Sequence, residues 1–154
     1  MKPKESEQLA AQIEAMMPKS LDDIVRLNRD KAIVRLALPE EIMALEKPID
    51  PGRTPNQMMN DWRIIALVRF PDQDGPGGTD LMLLGSVRAG IAKITSDLVE
   101  IDLDNGLVIT QSGSLYKLGK KGEGEPPFQH LAMVCAAFHS WGFGSFLGAP
   151  RFFF

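Results

Sequence analysis

Thr95–Leu118, TSDLVEIDLDNGLVITQSGSLYKL, is the stretch whose reading decides the fold. Val99, Ile101 and Leu103 alternate with Glu100, Asp102 and Asp104, the period-two signature of a strand with one wet face. Asn105-Gly106 then marks a tight turn into Leu107-Val108-Ile109-Thr110. A two-residue loop pairs Asp102 with Ile109 and mixes acids with aliphatics on one face. A three-residue loop with Gly106 left-handed pairs Leu103 with Leu107 and Ile101 with Ile109, and is the expected register because it keeps one face apolar. Ser112-Gly113-Ser114 bends the chain into a short returning strand, Leu115–Leu118.

Outward from this hairpin, Trp62–Phe70 (WRIIALVRF) reads as a strand buried on both faces, with Arg63 and Arg69 marking places where a side chain reaches water. Leu81–Val87 reads as another strand, with Gly85 at a bulge or close approach. A meander of about four or five strands results, with closure into a barrel left open. Phe128–Trp141 carries the widest helical apolar face, Phe128, Leu131, Ala132, Cys135 and Phe138, suited to lying across a sheet.

The N-terminal third reads as helical. Leu9, Ile13, Met16 and Met17 form one stripe behind a Ser6 cap, ended by Pro18. Ser20–Leu38 is read as one helix or as two segments broken near Asn28, and Pro39–Leu45 as a short helix with proline in its first turn. The fold expected is α+β: a small antiparallel β-meander with N-terminal helices and a C-terminal helix packed on the sheet. A single domain over 1–154 is expected, with a helical N-terminal region (1–47), a linker rich in proline (48–61), the meander (62–118), the helix (128–141) and an aromatic tail (142–154).

At 154 residues the chain can build a core without metal or disulfide staples. A formal net charge of -3, with basic and acidic residues spread over both halves, fits poorly with binding nucleic acid through its phosphates. The lone Cys135 suits a reducing, cytoplasmic setting. No apolar run is long enough to cross a bilayer, so no membrane partner is expected.

Each chemical motif competes with a plainer structural role. The acids of DLDNG resemble the start of a calcium loop, but counting from Asp102 puts Gly113 where the closing glutamate belongs. Cys135 and His139 share a helix face in apolar surroundings, without a third group to orient them. Ser114-Leu-Tyr-Lys117 lies in a strand that turns its serine and lysine to opposite faces. No catalytic, metal or cofactor residues are assigned, and no cofactor is expected. The expected role is non-catalytic protein–protein interaction, regulatory or scaffolding, with a protein partner or by self-association. Its candidate residues are Glu100, Asp102 and Asp104, facing a basic partner, and Phe152, Phe153 and Phe154 of a tail that is an aggregation hazard unless docked. A small barrel that binds nucleic acid through Tyr116, Trp62 and nearby cations is the alternative. A second is an enzyme of another kind with Asp97, Ser112, His130 or His139 in a pocket. No small-molecule ligand is assigned.

Overall fold

Trp62 to Leu67 are buried without interruption, and the strand that holds them, β2 (Gln57–Arg69), carries the rest of the sheet. The computed structural model describes residues 3–151. β3 (Gly78–Val87) runs antiparallel to β2 along one edge, and β4 (Ile91–Ile94) extends the sheet beyond it. The other edge of β2 is shared. Its C-terminal half pairs antiparallel with β1 (Ala32–Leu36), while Gln57–Met59 pair parallel with β7 (Leu115–Leu118). β6 (Leu107–Thr110) and β5 (Leu98–Asp102) follow β7 outward, both antiparallel, so the order is β4-β3-β2-β7-β6-β5 with β1 beside β2. The chain is α+β, with N-terminal helices α1 (Pro3–Met16) and α2 (Pro39–Ala44), a mostly antiparallel sheet, and α3 (Phe128–Ser140) packed on it.

Two cores lie on opposite faces of β2 and β3. On one, Leu131, Val134, Cys135 and Phe138 of α3 meet Ile65, Leu67, Met82 and Leu84, joined by Leu21, Ile24 and Val25 from the N-terminal loop. On the other, Met59, Ile64, Leu81 and Leu83 face Ile101, Val108 and Tyr116, because the sheet curls back on itself. The backbone N–H of Thr95 donates to Leu83 O at 2.9 Å, carrying the β3–β4 pairing one residue further.

Three expectations are corrected. Ala32–Leu36 is a strand: Asn28 sits at φ 55 and donates its side-chain amide to Phe146 O at 2.7 Å, ending the preceding turns, and the β-branched Ile33 and Val34 pair with β2. The region expected to be helical, 1–47, thus contains a strand between its two helices. The hairpin register is Asp102 opposite Leu107 and Ile101 opposite Val108, which neither two- nor three-residue loop provides. Gly106 is left-handed, at φ 65, as that turn was expected to require. Finally, a bulge between Leu98 and Glu100 shifts the phase of β5. Leu98 and Ile101 point inward, whereas Val99 and Leu103 are exposed.

Candidate functional site

A second bulge sets the polar cluster of the molecule. Asn60 opposes Ser86 and Arg63 opposes Leu84, so β2 spends one residue more than β3 over this span. Gly85 makes room for it, since a Cβ there would stand 2.9 Å from Asn60 O and 3.2 Å from Trp62 Cα. Asp61 takes up the extra residue at φ 48. The bulge brings Asp61 and Arg63 together beneath the first turn of α3, where His130 comes down from the helix.

Arg63 is buried at 6% exposure, so the side chain expected to reach water is instead a structural bolt. Its Nε donates to Gly124 O at 2.8 Å, and one terminal nitrogen donates to Glu123 O at 2.7 Å and Glu125 O at 3.3 Å. The other donates to Asp61 O and Oδ1, both at 3.3 Å. The guanidinium fork therefore holds the loop that delivers α3.

His130 is 2% exposed. Its Nε2 lies 2.7 Å from Ser86 Oγ, and its Nδ1 is 4.0 Å from Asp61 Oδ2 with no hydrogen-bond partner among the described residues. Burial lowers the imidazole pKa, the Asp61 carboxylate opposes that shift, and Arg63 adds to it. With the ring proton on Nδ1, toward the Asp61 carboxylate, Nε2 is left with its lone pair toward Ser86. Nε2 is then the acceptor, and the Ser86 hydroxyl donates to it. Ser86 Oγ and the Asp61 carboxylate thus lie at the two ring nitrogens of His130, the first within hydrogen-bond distance and the second at 4.0 Å.

No family model, curated protein or solved structure matches this chain.

The residues expected to form an acidic ridge do not share one wet surface. Asp102 is buried, its carboxylate accepting from Ile49 N at 2.8 Å and from Asn105 N and Nδ2 at 3.1 and 2.8 Å. These bonds, that from Ile49 first, hold it below the usual carboxylate range. It is the bracket of the turn. Glu100 is half-buried and paired with Lys47 at 3.3 Å, and Asp104 is exposed. Phe152, Phe153 and Phe154 lie outside the described residues.

The other candidates disperse. The Cys135 thiol is fully buried and pushed up to about 12, chiefly by desolvation, while His139 Nε2 pairs with Ala149 O at 2.8 Å, so no thiolate–imidazole couple forms. Asp97, half-buried, is raised by desolvation and by Asp80, and stands at the Asp80 end of β3, whereas His130 meets Ser86 at the other end. Ser112 closes a hydroxyl contact with Thr110 at 2.9 Å. Trp62 and Tyr116 are 9% and 6% exposed and face the inner core, which removes both rings from a stacking surface. No helix among the described residues is long and apolar enough to cross a membrane.

One feature sits apart from the body. Every residue of α1 from Lys4 to Met16 is exposed. Leu9, Ile13 and Met16, at 47%, 52% and 51% exposure, make an apolar line along it. The helix starts at Pro3, so Ser6 lies inside it rather than at its cap.

Sequence reading missed Asp61 and Ser86 and assigned Arg63 to solvent. Their only local signal is the glycine at 85 opposite a polar Asn-Asp pair, and that says bulge without saying what the bulge brings together.

Proposed function

We propose that this chain is a protein–protein interaction protein that self-associates through α1. The carrying observation is the apolar line Leu9–Ile13–Met16, exposed along a helix with no cover from its own body. A helix of 14 residues is marginal alone in water, so one that keeps its apolar side bare calls for a partner.

The spacing supports a second copy as that partner. Steps of four and then three residues put Leu9 and Met16 at d positions and Ile13 at an a position of a two-heptad seam, and a β-branched residue at a with Leu-like residues at d suits a parallel pair. Of the flanking positions, Ala10, Gln12 and Met17 are uncharged, and Glu5, at the preceding g, comes opposite Ala10 of the other copy, so two identical helices meet without like charges opposed. Two heptads make a weak seam on their own. The expected result is a dimer that dissociates on dilution.

Light scattering over a range of concentrations tests this. The full chain is expected to move from monomer to dimer mass, and Ile13→Glu, which places a charge in the seam, is expected to stay monomeric with an unchanged melting temperature for the body. A full chain that is monomeric throughout, or an Ile13→Glu variant that dimerises equally well, overturns the reading.

A further inference from the structure

We infer that Ser86 is a reactive nucleophile with His130 as its general base, in a site that takes activated acyl groups, esters or thioesters. The proposal rests on geometry that self-association does not use. Ser86 Oγ and His130 Nε2 are 2.7 Å apart, the separation a base needs to take a proton from the group it activates. The imidazole has no competing hydrogen bond among the described residues: its other nitrogen is buried, unpartnered, and turned toward Asp61. An imidazolium formed at this place would gain an ion-pair partner in Asp61 Oδ2 at 4.0 Å, a distance that a bound substrate can shorten.

Access differs across the pair in the sense the chemistry needs. His130 is sealed, whereas Ser86 is half-buried and lines a cleft of about 470 Å³ with Asn56, Asn60, Arg88 and Gly90. No carboxylate lines that cleft, and Arg88 makes no ion pair among the described residues. Negative charge developing on an acyl oxygen therefore meets amides and a cation instead of repulsion.

The step balances within these groups. Ser86 Oγ forms a bond to the acyl carbon as its proton moves to His130 Nε2. The bond to the leaving alkoxide or thiolate breaks with that same proton delivered to it. Water then attacks the carbon of the Ser86 ester, losing a proton to Nε2; the bond from that carbon to Oγ breaks, Nε2 returns the proton to Oγ, and the carboxylic acid leaves. Asp61 touches neither substrate nor serine and acts as a positioning residue for the ring.

The test is labelling of the full chain with a rhodamine fluorophosphonate, which loses fluoride to a nucleophilic serine, followed by mapping of the modified peptide. The folded protein is expected to carry the label on Ser86, and protein held in denaturing urea is expected to carry none. Ser86→Ala should abolish the label, and His130→Gln should slow it at least about 100-fold. Absence of label on Ser86 in the folded protein, equal labelling in urea, or an unchanged rate in folded His130→Gln each overturns the proposal. The comparison of folded with denatured protein needs no variant, so it decides even where a variant fails to fold. For Asp61, the reading is the pH profile of labelling. With Asp61 and Arg63 the charged groups facing the ring, Asp61→Asn is expected to move the midpoint to lower pH, and an unmoved midpoint overturns its assignment.

Discussion

Replacing Arg63 with methionine keeps the aliphatic stem and deletes the fork that ties β2 to the loop before α3. The side chain makes two short bonds, to Glu123 O at 2.7 Å and Gly124 O at 2.8 Å, and three longer ones at 3.3 Å. A hydrogen bond from a charged group is worth about 1.5–3 kcal/mol, so the two short bonds alone amount to about 3–6 kcal/mol. The longer contacts are weak by comparison. They are offset by the desolvation of a guanidinium only 6% exposed, which the variant no longer suffers. The net expected loss is about 3 kcal/mol. For a chain of this length that lowers the melting temperature by roughly 10 °C. Urea unfolding of Arg63→Met beside the unaltered chain, with amide exchange read at residues 122–125, measures both the size of the loss and its place. Arg63→Lys should fall between the two, since an ammonium cannot reach three carbonyls at once. A loss under about 1 kcal/mol, or loop amides as protected as before, would refute the view that this guanidinium holds the loop.

Two further outcomes concern buried acids. Cys135, with its thiol pushed up to about 12, should resist disulfide reagents in the folded chain and react only on unfolding; rapid stoichiometric reaction under native conditions would contradict its burial. Because its folded pKa lies above the unfolded value near 8.5, its contribution is intact below that value and is lost as pH rises through the folded one. Cys135→Ala should flatten that alkaline limb. Asp102 has the opposite sign: its folded pKa is lowered, so its contribution holds above the unfolded pKa near 3.9 and is lost as pH falls through the folded value. Asp102→Asn should flatten the acid limb of melting temperature against pH, and an unaltered limb would show that the turn does not depend on the charge.

What was legible in the sequence was what periodicity carries. The run Trp62–Leu67 announced a strand covered on both faces, and the face of Leu131, Cys135 and Phe138 announced a helix laid on a sheet. Periodicity failed where one residue breaks the count. Alternation from Val99 to Leu103 looked clean, yet the bulge at Leu98–Glu100 broke it: Ile101 stays inward, Val99 and Leu103 are exposed, and Asp102 turned inward because three donors wait for it there. Ala32–Leu36 followed an amphipathic stretch and read as its continuation, although only pairing with β2 decides its state. The polar cluster was illegible for a different reason. Asp61, Ser86 and His130 come from β2, β3 and α3, and no spacing in a linear chain reveals a meeting that the β2 bulge creates.

The parallel pairing of Gln57–Met59 with β7 carries a consequence for how the molecule comes to exist. β5, β6 and β7 are neighbours along the chain and can find one another by short excursions, whereas Gln57 meets Tyr116 only after a long loop has closed. Until that closure the inner core lacks its Met59 wall, so the local hairpins form without being held. The slow event in assembly is then the zipping of three residue pairs at the start of β2, and the refolding rate should be set there more than by the helix that dominates the sequence pattern.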